Sequence, residues 1–211
     1  MIAARETVMG RSFFMLNDLE RQVREFGTQG IFHFGRPLTA HLIETAKWLD
    51  KWGASSTLVR AGAFHSIYGT EEFREKAVSL DQRPKIQQII GQDAEALVFL
   101  FCMGNRHTFF DGQVAAPYRI PLPSLGTDVE IDDPTFTALL EIEAANIVDG
   151  ALHQPDAPPA AGPFWLARFE SVKSKLPIQA YSTARDVLTN WTADAVRDRM
   201  RAEGWLTTDR G

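Results

Sequence analysis

The feature that most constrains the fold is a short segment that is apolar on nearly all sides. It reads STLVRAGAFHSIYGT and covers residues 56–70. A helix without a polar face has to be covered by other elements around its whole circumference. We therefore expect an inner helix that begins after Ser55-Ser56 and ends at Gly69, because glycine is a common C-terminal stop.

Apolar residues at three- and four-residue spacing predict helices in most of the remaining chain. Residues 37–53 begin with a proline suited to the first helical turn and end with a glycine. A short helix is expected over residues 70–80, and a long one over residues 134–150. Residues 105–132 are interrupted by glycines and prolines, so we expect irregular structure there with one short pair of strands.

The fold class is therefore predicted to be all-α, with a helical domain followed by a helical extension. The sequence HQPDAPPAAGP is rich in proline and predicts a linker. Beyond it, two amphipathic helices are expected near residues 164–175 and 182–203. We divide the chain into a helical domain (residues 11–150), a proline-rich linker (151–163) and a C-terminal extension packed on the first domain (164–211).

Composition and charge exclude several classes of function. The chain has 211 residues, a formal charge of −5 and no cluster of lysine and arginine of the kind that binds nucleic acid. Its single cysteine, Cys102, excludes an intrachain disulfide and a cysteine-based zinc ribbon. The longest wholly apolar run, residues 96–103, is too short to span a membrane, and the N-terminal sequence lacks a signal-peptide core. We expect a cytoplasmic protein with a small-molecule substrate and without nucleic-acid or membrane partners.

Several polar residues fall on helix faces that otherwise carry apolar side chains. At 100° per residue, His41 and Glu143 lie on the apolar faces of their helices, and Asn146 lies at the edge of one of them. His65 belongs to the inner segment. A buried carboxylate needs a counter-charge, a strong hydrogen-bond donor or a metal. These groups can satisfy one another, either as a structural network or as a functional site.

Residues 36–73, RPLTAHLIETAKWLDKWGASSTLVRAGAFHSIYGTEEF, resemble the first half of an HD domain. HD domains are helical metal-dependent phosphohydrolases, with a histidine on one helix and a His-Asp pair ending a later, alanine-rich helix. His41 and His65 match these histidines in spacing, and Arg36 matches a basic residue of the guanosine tetraphosphate hydrolases. The motif AGxFHSxYGT also resembles a poorly characterised bacterial family of HD-like domains. The resemblance implies an HD-like helical bundle.

The same resemblance implies an altered metal site. Ser66 stands where HD domains have the aspartate after the second histidine, which makes this chain an HS variant. The late aspartate of the family falls at Asn146 or, one turn earlier, at Glu143. Dinuclear members need further histidines, and between these points only His107 is available. The resemblance therefore implies at most a mononuclear site.

Three interpretations follow. In the first, His41, His65 and Glu143 bind one divalent ion, which is iron, manganese, zinc or cobalt, and no organic cofactor is needed. His33 or His107 is then a candidate fourth ligand. Such an enzyme hydrolyses a phosphoester or a related bond. The alternative chemistry for the same ligands is that of a mononuclear non-heme iron oxygenase.

The second interpretation is a metal-free lyase or isomerase, in which a histidine acts as general acid or base and Glu143 orients it. The third is a non-catalytic ligand-binding module. In the catalytic interpretations the catalytic residues are His65, Glu143 and Ser66. The expected substrate-binding residues are His33, Arg36, Tyr68 and Asn146. We further expect the imidazoles of His41 and His65 to lie within about 5 Å of each other or of one shared ion.

Overall fold

A computed structural model describes residues 2–205, and it describes side chains from Ser12 onward. This part of the chain forms nine α-helices and two antiparallel sheets of two strands each. The predicted all-α class is confirmed. The elements are α1 (Ile2–Arg24), β1 (Phe32–His33), β2 (Arg36–Pro37), α2 (Leu38–Lys51), α3 (Ser56–Phe64), α4 (Arg83–Ile90), α5 (Gln92–Met103), β3 (Tyr118–Leu122), β4 (Thr127–Ile131), α6 (Asp133–His153), α7 (Ala161–Ser171), α8 (Ile178–Thr189) and α9 (Ala193–Ala202). In the described residues, none of these helices combines the length and the apolar character that crossing a membrane requires.

Helix α3 is the inner helix that its sequence predicts. It packs against α1, α2, α5 and α6, and the side chains of Val59, Ala61 and Phe64 are fully buried. Ser55 caps its first turn, because the Ser55 hydroxyl accepts a hydrogen bond from the main-chain N–H of Leu58. Helices α2 and α3 approach closely at Gly62, where a Cβ atom would lie 2.3 Å from Leu49 Cδ1. This close approach brings the end of α3 beside the middle of α2.

Two expectations near α3 are wrong. The helix ends at Phe64 instead of Gly69, so His65 and Ser66 lie in the turn that follows it. The short helix predicted over residues 70–80 does not form; these residues are irregular as far as a 3₁₀ turn that begins at Leu80. The reason is tertiary: the main-chain N–H groups of residues 77 and 78 donate to the carbonyl oxygen of Ile67 instead of to a helical partner.

Helix α6 is a second inner helix and the longest one whose side chains are described throughout. Asp132 caps its start by accepting a hydrogen bond from the N–H of Thr135. It is buried along almost all of its second half and continues to His153, three residues beyond the predicted domain boundary. The irregular connection to α7 is accordingly shorter than the predicted linker and covers residues 154–160.

The C-terminal extension contains three helices instead of the two predicted. The pattern over residues 182–203 is broken between α8 and α9, where Thr192 caps the new helix by accepting a hydrogen bond from the N–H of Ala195. Both α8 and α9 pack on α6. Helix α8 also contacts the end of α2, since Trp52 Nε1 donates a hydrogen bond to Thr183 Oγ1 at 3.1 Å.

Strands β1 and β2 form a tight hairpin that lies over the first turns of α2. The two residues of its turn, Phe34 and Gly35, have φ values of +50° and +73°. Positive φ at both central residues is the geometry of a type I′ hairpin turn, in which glycine is common and phenylalanine is not. A left-handed conformation costs a residue with a side chain about 1 kcal/mol or more. The predicted strand pair in residues 105–132 also forms, as β3 and β4.

Candidate functional site

Two buried histidines meet in the centre of the molecule. His41 Nε2 lies 3.1 Å from His65 Nε2, and both side chains are almost fully buried. The expectation that the two imidazoles lie within about 5 Å of each other is confirmed. Helix α2 supplies one histidine and the turn after α3 supplies the other, so the close packing at Gly62 sets their separation.

The second ring nitrogen of each histidine faces a hydrogen-bond acceptor. His65 Nδ1 donates to the carbonyl oxygen of Gly62 at 2.8 Å. His41 Nδ1 donates to Asp149 Oδ2 at 2.6 Å. Neutral imidazole carries one N–H, so this pattern leaves the lone pairs on the two Nε2 atoms that face each other. Such an arrangement requires a proton shared between the nitrogens or a cation bound by both.

Asp149 is the carboxylate that sequence reasoning missed. It lies on α6 one turn beyond Asn146 and is fully buried. Its side chain forms an ion pair with Arg36, and His153 Nδ1 lies 3.1 Å from its Oδ1 atom. Burial by itself would raise the pKa of Asp149, but the nearby His153 ring, the hydrogen bond from His41 and the charge of Arg36 hold that pKa below its usual range. Asp149 is therefore ionised and fixes the orientation of His41.

A small cavity of about 160 Å³ opens beside the histidine pair. Aromatic side chains form much of its wall: Phe34, Phe73 and Phe101. The polar residues of its wall are His33, His65, Ser66, Thr70, Glu72, Arg106 and Asn146. An apolar cavity with a few convergent polar groups is the usual form of a small-molecule site.

Burial keeps the histidines around this cavity neutral. Burial lowers the pKa of His65 well below its ordinary value, and the neighbouring His41 lowers it further. For the same reasons the pKa of His33 falls to about 3. The ring centre of His33 lies 4.8 Å from that of His41. Neutral imidazoles can accept a proton or bind a metal ion.

Glu143 lies near the cavity, but its partner is an arginine. Glu143 Oε2 accepts hydrogen bonds from Arg106 at 2.6 Å and from Asn146 Nδ2 at 3.2 Å. Arg106 also binds Glu72 at 2.8 Å. Among the residues whose side chains are described, no three histidine, cysteine, aspartate or glutamate side chains are grouped as a metal site. The structure thus brings His41 and His65 together without Glu143 as a third ligand.

The remaining predicted site residues fall in different places. Ser66 lies beside His65 in the cavity, and its buried hydroxyl has no hydrogen-bond partner in the described part of the chain. Arg36 is buried and reaches Asp149 instead of the cavity. The Tyr68 hydroxyl donates to Glu95 at 3.0 Å, and this side chain does not line the cavity. His107 is half-exposed, with Nε2 3.4 Å from Glu72 Oε1.

Comparison with known proteins gives one partial match. Residues 22–106 match the family model described as "Domain of unknown function (DUF6817)". The matched segment contains both histidines of the pair and ends before α6, which carries Asp149. No curated protein and no solved structure matches the chain.

Proposed function

We propose that this chain is a cytoplasmic enzyme that hydrolyses a phosphoester or a related bond of a small molecule, with His41 and His65 as ligands of one divalent metal. The observation that carries this proposal is the pair of Nε2 atoms 3.1 Å apart, each on a ring whose Nδ1 is bound to an acceptor. Histidines that bind metals characteristically donate their other ring N–H to a carboxylate or a carbonyl oxygen. Two nitrogens bound to one ion at about 2.0–2.1 Å lie about 3 Å apart.

Two protein atoms, His41 Nε2 and His65 Nε2, are placed to bind such an ion. The buried hydroxyl of Ser66, which has no partner in the described residues, is an oxygen donor in the adjacent cavity. A divalent ion in such a place lowers the pKa of a bound water and polarises a substrate oxygen. Further positions are then left for water and substrate, as in catalytic sites generally.

The protein residues have separate tasks in this proposal. Asp149 and the Gly62 carbonyl hold the two imidazoles in one tautomer and one orientation. Arg36 keeps Asp149 ionised. The N–H groups of Arg106 and Asn146 that are not used by Glu143 or Glu72 can orient the substrate in the cavity. The aromatic wall excludes water, which strengthens each of these polar interactions.

Metal content of protein purified without a histidine tag tests this proposal. We expect close to one divalent ion per chain in the wild type and loss of that ion in His41→Gln and His65→Gln. His107→Gln serves as the matched control, because this histidine is half-exposed and pairs with Glu72. Circular dichroism establishes that each variant is folded. A folded wild type that neither contains metal nor is stabilised by added manganese, iron(II) or zinc contradicts the proposal.

A second candidate is acid–base catalysis without a metal, by a lyase or isomerase. The hydrogen-bonded series Asp149–His41–His65 favours it, because a carboxylate that orients one imidazole can stabilise a proton shared with the next. Nitrogen NMR of histidine-labelled protein separates the candidates. In this second case, added zinc leaves the ring-nitrogen signals of both histidines unchanged, whereas metal binding shifts both.

A further inference from the structure

A second cavity, of about 480 Å³, lies on the other side of the turn that follows His65. Four segments enclose it: the turn at Tyr68–Glu71, the loop at Arg74–Lys76, the end of α5, and the connection between β3 and β4. Its inner surface is mainly apolar, with contributions from Met103 and Leu125. This volume and lining are those of sites for small organic molecules.

Two basic side chains, Arg74 and Lys76, stand at the edge of this cavity. Most lysines and arginines in the described part of the chain form ion pairs, hydrogen bonds or contacts with aromatic rings. The exceptions within that part are Arg60, Arg74 and Lys76. Two of these three cations therefore flank one cavity, and the carboxylate of Glu71 is the opposing charge there.

We propose that this cavity binds a small organic anion, with its apolar part against Met103 and Leu125 and its acidic group near Arg74 and Lys76. The acidic group is a carboxylate, sulfonate or phosphate, since all three form charge-assisted hydrogen bonds with arginine and lysine. The apolar part of the anion contributes most of the binding free energy, and the two cations select ligands with a negative charge. This inference does not depend on the reaction proposed for the histidine pair.

The chain segment that begins at Thr70 links the large cavity to the small cavity beside the histidine pair. Thr70 lines both cavities, and the residues after it alternate between them: Glu72 and Phe73 face the small cavity, and Arg74 faces the large one. Cys102 is also one of the residues that line the large cavity, and its thiol donates to the carbonyl oxygen of His65 at 3.0 Å. An anion bound here contacts the segment that carries the wall of the small cavity.

Anilinonaphthalene sulfonate is a suitable probe, because it combines an aromatic body with one sulfonate. We expect its fluorescence to rise on binding to the wild type, and its affinity to fall about fivefold in the Arg74→Gln/Lys76→Gln double variant, as two exposed ion pairs predict. Arg60→Gln is the matched control, because Arg60 does not line this cavity and has no ion-pair partner among the side chains that the structure describes. The affinity of this variant should equal that of the wild type. Thermal melts establish that all three proteins are folded.

The single cysteine reports where the probe binds. Cys102 is buried, and burial raises the pKa of its thiol to about 12, so its reaction with the neutral reagent dithiodipyridine should be slow and measurable. Bound anilinonaphthalene sulfonate should slow that reaction further in the wild type and less in the double variant. Three results would overturn the proposal: no binding by the wild type, equal affinity in the double variant, or binding that leaves the reaction of Cys102 unchanged. An equal loss in Arg60→Gln would also overturn it, by showing an effect of overall charge.

Discussion

Among single residues, Gly150 packs so closely against the ring of Phe34 that a side chain at position 150 would overlap it. A Cβ atom on Gly150 would lie 2.9 Å from Phe34 Cζ. Alanine normally stabilises the interior of a helix by about 1 kcal/mol relative to glycine. We expect Gly150→Ala to destabilise the protein by about 1 kcal/mol instead, because overpacking of 1–3 kcal/mol exceeds that gain. Urea denaturation measures the difference.

The double variant Phe34→Leu/Gly150→Ala isolates this contact. In the Phe34→Leu background, we expect Gly150→Ala to leave the free energy of unfolding unchanged or to increase it. An equal cost of Gly150→Ala in both backgrounds would show that the contact with the ring is not its cause.

The sequence predicts individual residues well where burial follows local periodicity. His41, His65 and Glu143 are buried as their positions on apolar faces require. Asp149 was missed because its partner His41 is 108 residues away, and an aspartate near a helix end usually faces solvent. The same limitation explains why Glu143 was expected to join the histidines, since nothing in the local pattern shows that Arg106 reaches it.

At the scale of elements, one buried histidine connects α6 to α9. His153 Nδ1 lies 2.9 Å from the carbonyl oxygen of Asp149, and its Nε2 lies 2.8 Å from Glu203 Oε2. Both ring nitrogens thus face acceptors, which only the doubly protonated ring satisfies. Burial lowers the pKa of His153, and so does the positive charge of Arg36. The carboxylate of Asp149 outweighs both effects, so the pKa of His153 lies above its ordinary value.

This connection predicts a dependence of stability on pH. A histidine whose pKa is raised in the folded state contributes stability that is complete below about pH 6.5 and is lost as the pH rises through the folded-state pKa. We expect the difference in unfolding free energy between the wild type and His153→Gln to shrink as the pH rises above about 6.5. A difference that stays constant over this range would show that folding does not raise the pKa of His153.

Element boundaries follow the sequence less closely than element types. The break between α8 and α9 depends on a single capping threonine, Thr192, inside an amphipathic pattern that would otherwise continue. The missing helix over residues 70–80 depends on hydrogen bonds to Ile67, which local propensity does not reveal. Both errors have the same cause. The local sequence pattern favours a continuous helix, whereas a cap or a main-chain hydrogen-bond partner that is in place only in the folded chain ends it or replaces it.

At the scale of the whole molecule, the C-terminal helices and the N-terminal helices share α6 as a common partner. We therefore expect the described chain to unfold in one cooperative transition. We compare urea unfolding, followed by tryptophan fluorescence, in two variants. The Trp165→Phe/Trp191→Phe/Trp205→Phe variant retains Trp48 and Trp52 on the N-terminal side, and the Trp48→Phe/Trp52→Phe variant retains the other three tryptophans. We expect the two transitions to coincide. An earlier transition for the tryptophans of α7 and the α8–α9 connection would mean that the extension is a separate folding unit.

The bond between His41 and Asp149 also limits what a match over residues 22–106 implies about chemistry. The matched segment ends at residue 106, whereas the carboxylate that orients the histidine pair comes from α6. A protein that matches this segment alone has positions for both histidines and none for that carboxylate. Such a protein would need another acceptor to hold its first histidine in the same tautomer.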